Sequence, residues 1–196
     1  MITKRRPKIL KSRQLAESWS IKFYEDILQF DAAKRAPFPR INVPNFAVAV
    51  AVREQDGKIP LVRQYRHGAQ GVFWELPGGM VDNNETPLDS IKREFREEVG
   101  FKLLEPRFIA NIYVAPAYSS QVAHVYTGRV RGLRPKSLDT KEISVTFVRN
   151  TLALKLLSNS ISASHLLAYL IVGSRQRKDL QEQPQKLHLA RNFRDQ

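Results

Sequence analysis

The chain has 196 residues, of which 42% are hydrophobic and 26% charged, with a net charge of +13 and no cysteine. These values are ordinary for one globular domain with an appendage, and they exclude a disulfide framework and a thiolate metal site. No signal peptide and no apolar run of about 18 residues is present, so we expect a cytoplasmic protein without a membrane partner. The positive charge favours polyanionic ligands, either phosphorylated small molecules or nucleic acid.

The first part of the chain, residues 1–44, predicts a small β extension. Residues 1–16 are basic and weakly patterned, so at most a short strand is expected there. Alternation from Trp19 onward predicts a strand with one apolar face, and a second extended piece follows at 26–30. Three prolines then disfavour regular structure: Pro37, Pro39 and Pro44. Because this part is too small to bury its own apolar face, it must pack on the rest of the chain or on a second subunit.

The next stretch predicts three strands. Phe46–Arg53 (FAVAVAVR) has strand character, Asp56-Gly57 predicts a hairpin turn, and 59–65 is expected to return as the partner strand. A short strand at 73–76 then leads into the turn Pro77-Gly78-Gly79.

An amphipathic helix is predicted after that turn. Thr86 is a suitable N-cap, Pro87 suits the first helical position, and Asp89 gives a weakened capping box. Gly100 predicts a left-handed end. One buried stripe is expected from four apolar residues: Leu88, Ile91, Phe95 and Val99.

Three glutamates, Glu94, Glu97 and Glu98, lie at i, i+3 and i+4 of this helix and off its buried stripe. Such a cluster opposes the helix dipole and costs a few tenths of a kcal/mol. One interpretation is a solvated charged face with pairs such as Arg93 with Glu97. The other is a site for a hard divalent cation, which carboxylates and substrate phosphates hold together.

The remaining predicted elements are three strands and two helices: 107–114, Val122–Val130, Ile143–Val148, 152–157 and 163–172. A polar loop, 115–121, separates the first two strands, and the tail from about residue 174 is expected to be a helix end followed by disorder. Strands and helices mix without a regular βαβ alternation, which predicts an α+β fold built as an α/β/α sandwich.

Residues 79–101 resemble the Nudix box, Gly-x5-Glu-x7-Arg-Glu-U-x-Glu-Glu-x-Gly-U, in which U is apolar. Every defined position is matched: Gly79, Glu85, Arg93, Glu94, Phe95, Glu97, Glu98, Gly100 and Phe101. The resemblance to Nudix hydrolases implies the Nudix fold with a mixed β-sheet. It also implies hydrolysis of a nucleoside diphosphate linked to another group.

The same resemblance implies roles for the residues of the box. Mg²⁺, or Mn²⁺ in its place, would be held by the Gly78 carbonyl and three carboxylates: Glu94, Glu97 and Glu98. Structural roles are implied for Gly79, Glu85, Arg93 and Gly100, with Glu85 and Arg93 paired to hold the loop against the helix.

Segments outside the box resemble the ADP-ribose pyrophosphatase branch, which acts on nucleoside diphosphate sugars. Gln64-Tyr65-Arg66 resembles a segment whose arginine reaches the substrate, and a planar arginine fork suits a diphosphate. Residues 74–79 resemble that branch's approach to the box, where Glu75 would bond a ribose hydroxyl or the base, or serve as a structural partner. Pro116 stands where the branch has a proline, whereas Ser119-Ser120-Gln121 lacks both acids of its Ser-Asp-Glu.

Three acids are candidates for orienting the attacking water: Glu97, Asp139 and Glu142. The branch commonly uses a glutamate in the loop before the last core strand, here 133–142, and we prefer Glu142. Trp19 is the candidate for stacking on adenine, with core packing as the alternative.

We therefore expect three parts: a β extension at 1–44, a Nudix hydrolase domain at 45–174 and a basic polar tail at 175–196. The resemblance implies a homodimer formed through the β extension, with packing inside one chain as the alternative. A nucleotide sugar is the expected substrate, and GDP-mannose, dinucleoside polyphosphates and capped RNA are alternatives. A non-catalytic nucleotide- or RNA-binding module is the remaining alternative, but the three intact glutamates of the box argue against it. The sequence also shows no platform of aromatic and basic residues of the kind that binds single-stranded nucleic acid.

Overall fold

The computed structural model describes residues 6–132, 143–159 and 163–182 of the chain, with side chains to residue 175. The strands in these ranges are β1 (Lys8–Ser18), β2 (Ile21–Gln29), β3 (Arg35–Asn42), β4 (Phe46–Arg53), β5 (Ile59–Arg66), β6 (Gly71–Glu75), β7 (Gly78–Met80), β8 (Leu104–Tyr113), β9 (Val122–Val130) and β10 (Ile143–Val148). The helices are α1 (Pro87–Val99), α2 (Asn150–Ser158) and α3 (Ala163–Glu182), and a short 3₁₀ turn spans His67–Ala69.

The β extension is an antiparallel sheet of order β1-β2-β3. The expectation of at most a short strand before residue 16 is wrong, because β1 has 11 residues and pairs with β2 along its length. Trp19 lies in the β1–β2 turn with φ of 54°, and the two predicted extended pieces merge into β2. The expectation that prolines exclude regular structure is also wrong, since Pro37 and Pro39 lie in β3. An edge strand accepts prolines at alternate positions whose nitrogens face away from its neighbour.

Strand β4 lies inside a mixed sheet of order β7-β4-β9-β8, parallel to β9 and antiparallel to β7. Its successive side chains point to opposite faces. The valines at 48 and 50 pack in one cluster with α2 and α3, whereas the alanines at 47, 49 and 51 pack in a second cluster with α1. Helices on both faces of the strands make an α/β/α sandwich, which confirms the predicted fold class.

Strand β5 belongs to a separate sheet of order β10-β5-β6, so the prediction that it pairs with β4 is wrong. The Asp56-Gly57 turn does form, with Gly57 at φ of 68° and the Arg53 N–H bonded to the Lys58 carbonyl. Turn chemistry reverses the chain locally, but the sheet that a strand joins depends on the packing of the whole domain.

Helix α1 begins and ends as predicted. Thr86 Oγ accepts a hydrogen bond from the Asp89 N–H at 3.1 Å, and Gly100 closes the helix at φ of 76°. Three residues of the apolar stripe are fully buried: Ile91, Phe95 and Val99.

Helix α3 is longer than predicted, since it continues from Ala163 to Glu182. The tail beyond residue 182 lies outside the described residues. Within the described ranges, no helix combines the length and apolarity needed to cross a membrane.

Candidate active site

The turn from β6 into β7 brings backbone closer to neighbouring groups than a side chain would allow. A Cβ on Gly78 would lie 2.1 Å from the Ala47 carbonyl oxygen of β4. A Cβ on Gly79 would lie 2.2 Å from the carboxylate carbon of Glu94. The two glycines therefore let β7 pair with β4 while α1 presents an acid directly over the turn.

Glu98 is the most enclosed acid of the box, with 8% of its surface exposed. Its Oε2 accepts a hydrogen bond from the Gly78 N–H at 2.8 Å. Burial raises the pKa of Glu98 to about 8; the bond from Gly78 opposes the shift, the charge of Glu94 adds to it and Arg66 opposes it. Burial likewise raises the pKa of Glu94.

Arg93 connects the box loop to the acids of the helix. Its Nε and Nη2 donate to the two carboxylate oxygens of Glu85 at 3.0 and 2.9 Å, and Nη2 also reaches the Met80 carbonyl at 3.2 Å. Its Nη1 donates to Glu94 at 2.7 Å and to Glu97 at 3.3 Å. The hydrogen bonds from Arg93 to Glu85 and Glu94 raise the arginine pKa, so this guanidinium is a permanent positive charge.

The three acids of the helix do not converge on one point. Among the described residues, no three carboxylate or histidine side chains are grouped as a ready metal site. Glu94 and Glu98 face the glycine turn, whereas the Glu97 side chain is 59% exposed and Arg93 lies between it and Glu94. The donor set nevertheless fits a hard divalent cation, because it consists of carboxylate oxygens whose ionised form a nearby cation would favour.

Arg66 and Glu75 are brought together at the other end of the same turn. The Nε and Nη2 atoms of Arg66 donate to the two oxygens of Glu75 at 2.9 and 2.6 Å, and Gln64 donates to Glu75 at 3.3 Å. Burial opposes ionisation of Glu75 more than any single contact favours it, but the hydrogen bonds from Arg66 and Gln64 and the charges near the carboxylate together outweigh burial and lower the pKa of Glu75. Glu75 is 3% exposed, so it serves this pair and not the solvent.

His165 on α3 is a polar residue of this region that the sequence patterns did not single out. Its Nδ1 accepts from the Leu76 N–H at 3.0 Å, and its Nε2 lies 3.7 Å from Glu75 Oε2. Burial lowers its pKa to about 4, so the ring is neutral at physiological pH. The available signal was one histidine inside an apolar helical run, which is also the pattern of ordinary core packing.

Trp19 lies beside a cleft of about 680 Å³ between the β1–β2 turn and the box loop. The cleft is lined from the extension by Glu17, Trp19, Lys22 and residues 42–44, and from the domain by Asn45 and residues 80–83. Trp19 is 79% exposed, so the alternative of core packing is excluded.

The segment Ser119-Ser120-Gln121 holds the β extension against the domain. The Ile41 N–H donates to the Tyr118 carbonyl at 2.7 Å, and the Gln121 side chain donates to the Pro44 carbonyl at 2.8 Å. Of the two residues that stand in place of the acids, Gln121 therefore has a structural task. Asp139 and Glu142 lie outside the described residues.

Comparison with known proteins agrees with this arrangement. The NUDIX domain family matches residues 43–168, more than half of the chain. An ADP-ribose pyrophosphatase of Mycobacterium tuberculosis is 38% identical over 81 residues, 41% of this chain and only 39% of that protein. An ADP-ribose pyrophosphatase of Bacillus subtilis is 26% identical over 179 residues, 90% of this chain and 96% of that protein.

Two further proteins resemble the chain over most of its length. ADP compounds hydrolase NudE of Escherichia coli is 26% identical over 137 residues, 70% of this chain and 73% of that protein. A crystal structure of an ADP compounds hydrolase superposes with a TM-score of 0.71 at 20% identity, covering 93% of this chain and 98% of that one, which shows a shared fold. The glycine turn, the acids of α1 and these matches together show that the chain belongs to the NUDIX family and is a Nudix pyrophosphohydrolase.

Proposed function

We propose that the chain hydrolyses the pyrophosphate bond of a nucleoside diphosphate sugar such as ADP-ribose, with Mg²⁺ as cofactor, giving a nucleoside monophosphate and a sugar phosphate. The observation that carries the proposal is that residues 75–78 contact both Arg66 and an acid of α1. Glu75 accepts two hydrogen bonds from Arg66 at 2.9 and 2.6 Å, and three residues later the Gly78 N–H donates to Glu98 at 2.8 Å, so one short segment holds both the arginine and the acid. A cation held by the acids and a guanidinium beside it would hold a diphosphate from two directions.

The proposed metal ligands are the Gly78 carbonyl and the carboxylates of Glu94, Glu97 and Glu98, with Mn²⁺ as a substitute ion. When bound, the metal would neutralise charge on the pyrophosphate and make a bound water more acidic. Glu97 must leave its 3.3 Å contact with Arg93 to take part. That contact is a partly exposed ion pair, which holds a side chain only weakly.

Arg66 is proposed to bind the diphosphate. Its Nε and Nη2 are engaged by Glu75, and in the described part of the chain no group bonds its Nη1, which leaves donors for phosphate oxygens. Since both Glu75 oxygens are already engaged, we assign Glu75 to holding Arg66 and not to bonding a ribose hydroxyl. Trp19 is proposed to stack on the base, because its ring is exposed beside a cleft that reaches the box loop.

The attacking water requires a carboxylate that orients it and accepts its proton as a general base. Glu97 is the candidate whose position is described, beside Glu94 and largely in solvent. Asp139 and Glu142 remain candidates, with Glu142 preferred on the resemblance to the ADP-ribose pyrophosphatase branch.

A homodimer formed through the β extension is also proposed. Every residue of β1 is exposed, including Ile9 at 57% and Leu15 at 55%. A second subunit would cover this apolar surface. Sedimentation velocity is expected to give the mass of two chains, and a single-chain mass at micromolar concentration would contradict the dimer.

A substrate panel tests the proposed reaction. With Mg²⁺ present, release of phosphate monoesters is measured from ADP-ribose, ADP-glucose, GDP-mannose, NADH, a dinucleoside polyphosphate, a nucleoside triphosphate and capped RNA. The largest kcat/KM is expected for ADP-ribose or another nucleotide sugar. A preference for capped RNA or a triphosphate would overturn the assigned substrate class, and no turnover of any compound would favour the non-catalytic alternative.

A further inference from the structure

His165 links helix α3 to the backbone that leads into the box. The side chain is 6% exposed, and none of the steps proposed above uses it. Its Nδ1 accepts from the Leu76 N–H at 3.0 Å, and its ring stacks on Phe46 of β4 with centroids 6.1 Å apart and planes 18° apart. A hydrogen bond at one edge and an aromatic ring on one face together hold the orientation of the imidazole.

The bond to Leu76 also determines which nitrogen of the ring carries the proton. Because Nδ1 accepts, the proton of the neutral ring lies on Nε2. Nε2 is 3.7 Å from Glu75 Oε2, which is too long for a hydrogen bond. The N–H dipole therefore acts on the carboxylate electrostatically, and in a buried setting this interaction is only weakly screened by water.

The carboxylate of Glu75 in turn orients Arg66. Two parallel hydrogen bonds fix one edge of a guanidinium plane, so they also fix the direction of its opposite edge. That opposite edge carries Nη1, which has no hydrogen-bond partner in residues 6–132, 143–159 and 163–175. The chain of contacts thus runs from α3 through Glu75 to the free donors of Arg66.

We infer that His165 is a positioning residue for Arg66: it holds Glu75 and the Leu76 backbone so that the Arg66 guanidinium faces the diphosphate. This inference rests on the proposed function, in which Arg66 binds that diphosphate. His165 itself touches neither the substrate nor the acids of α1, and it acts through the Glu75 carboxylate.

Two substitutions of His165 separate its two contacts. His165→Asn keeps an acceptor near the Leu76 N–H but removes the donor that faces Glu75, whereas His165→Gln can keep a donor near Glu75. We expect His165→Asn to raise KM for ADP-ribose by about tenfold with kcat within about twofold. A misplaced Arg66 would make a weaker charge-assisted hydrogen bond to the diphosphate, and the loss would be equal in the ground state and in the transition state. His165→Gln is expected to restore KM to within about threefold of the wild type.

A double-mutant cycle with Arg66→Ala distinguishes positioning from general loss of stability. If His165 acts through Arg66, His165→Asn adds nothing to the KM of the Arg66→Ala protein. The matched control is Tyr169→Phe, which removes another buried polar contact of α3, the bond from the Tyr169 hydroxyl to the Asn150 carbonyl. That control is expected to leave KM unchanged. Additive effects of His165→Asn and Arg66→Ala, or an unchanged KM in His165→Asn, would overturn the inference.

An NMR measurement tests the same inference without any turnover. The ¹⁵N shifts of His165 are expected to show a neutral ring protonated at Nε2, and hydrogen exchange of Arg66 Nε–H is expected to speed up at least about threefold in His165→Asn but not in Tyr169→Phe. A ring protonated at Nδ1, or an Arg66 exchange rate unchanged by the substitution, would overturn the positioning role. If the wild type hydrolyses no nucleotide sugar, the proposed function fails, and the NMR result alone then decides whether His165 orients Arg66.

Discussion

Glu98 combines burial with a position where negative charge is needed for cation binding. In the metal-free protein its pKa is raised from 4.5 to about 8, chiefly by burial. The folded state therefore holds this proton more tightly than the unfolded state. The stability that protonation contributes is fully present below about pH 4.5 and is lost as the pH rises towards 8.

Replacing Glu98 by Gln removes this titration. In EDTA, we expect the free energy of unfolding of the wild type to fall relative to that of Glu98→Gln by up to about 1.4 kcal/mol per pH unit between about pH 5 and 8. Urea unfolding of both proteins at several pH values measures the difference. A difference that does not change with pH would show that the Glu98 carboxyl is not buried as described.

The substitution Gly79→Ala tests how closely the turn approaches Glu94. In Gly79→Ala the new methyl group would lie 2.2 Å from the Glu94 carboxylate carbon, so that flexible side chain must move. We expect the protein to fold but kcat to fall by about 100-fold, since displacing a catalytic group by about 1 Å has effects of that size.

Two other glycines serve as controls for Gly79→Ala. In Gly173→Ala nothing lies within 4 Å of the new methyl group, and normal turnover is expected. Gly78→Ala meets the Ala47 backbone at 2.1 Å and should destabilise the fold itself. Normal turnover in Gly79→Ala, measured with ADP-ribose, would place Glu94 outside the site.

Positions of individual residues could be predicted where the pattern that specifies them is local. The spacing of Glu94, Glu97 and Glu98 placed them on one helix near the glycine turn, although it did not reveal that Arg93 separates Glu97 from Glu94. His165 was missed because its partner Leu76 is 89 residues away in the chain. No local pattern encodes a contact of that kind.

Helix α1 was predictable because its ends are specified by its own residues. The Thr86 cap, the proline after it and the left-handed Gly100 act within a few residues of one another. The strands were less predictable, because β5 pairs with β6 and β10 and not with the preceding strand β4, and because β3 accepts prolines only as an edge strand. Pairing across a sheet depends on distant segments, which a single sequence does not display.

The Thr86 cap has a measurable energy. Thr86→Ala removes the acceptor for the Asp89 N–H and is expected to lower the free energy of unfolding by about 1 kcal/mol. Thr151→Ala is the matched control. Thr151 lies in the first turn of α2, and the N-cap residue of that helix makes no capping hydrogen bond with its side chain. Urea titration should show a change of only a few tenths of a kcal/mol for the control. Equal losses in the two variants would contradict a specific role for the cap.

At the scale of the whole molecule, the sandwich brings together groups that are far apart in sequence. Strand β4 packs on α1 through its small residues and on α2 and α3 through its valines, and β7 pairs beside it. The Gly78 turn is thereby held between the acids of α1 on one side and the contacts of His165 on the other. The mix of predicted strands and helices predicted an α+β fold built as an α/β/α sandwich, and the family resemblance identified that sandwich as the Nudix fold.

The β extension is attached to the domain by few contacts. Hydrogen bonds join residues 41 and 44 to the segment 118–121, and the cleft beside Trp19 lies close to this junction. The sequence predicted that this part must pack on something, and β1 remains fully exposed within one chain. The proposed second subunit would account for that exposure.

The proposed pyrophosphate hydrolysis depends on a divalent cation held by the acids of α1. The most direct test is the initial rate of AMP release from ADP-ribose as Mg²⁺ is titrated, for the wild type, Glu98→Gln and the control Glu54→Gln, whose carboxylate pairs with Arg129 and Arg131 instead. We predict a saturable dependence on Mg²⁺ for the wild type and Glu54→Gln, and a rate lower by about 100-fold or more for Glu98→Gln. An equal rate in EDTA, or an unchanged rate in Glu98→Gln, would show that the acids of α1 hold no catalytic cation.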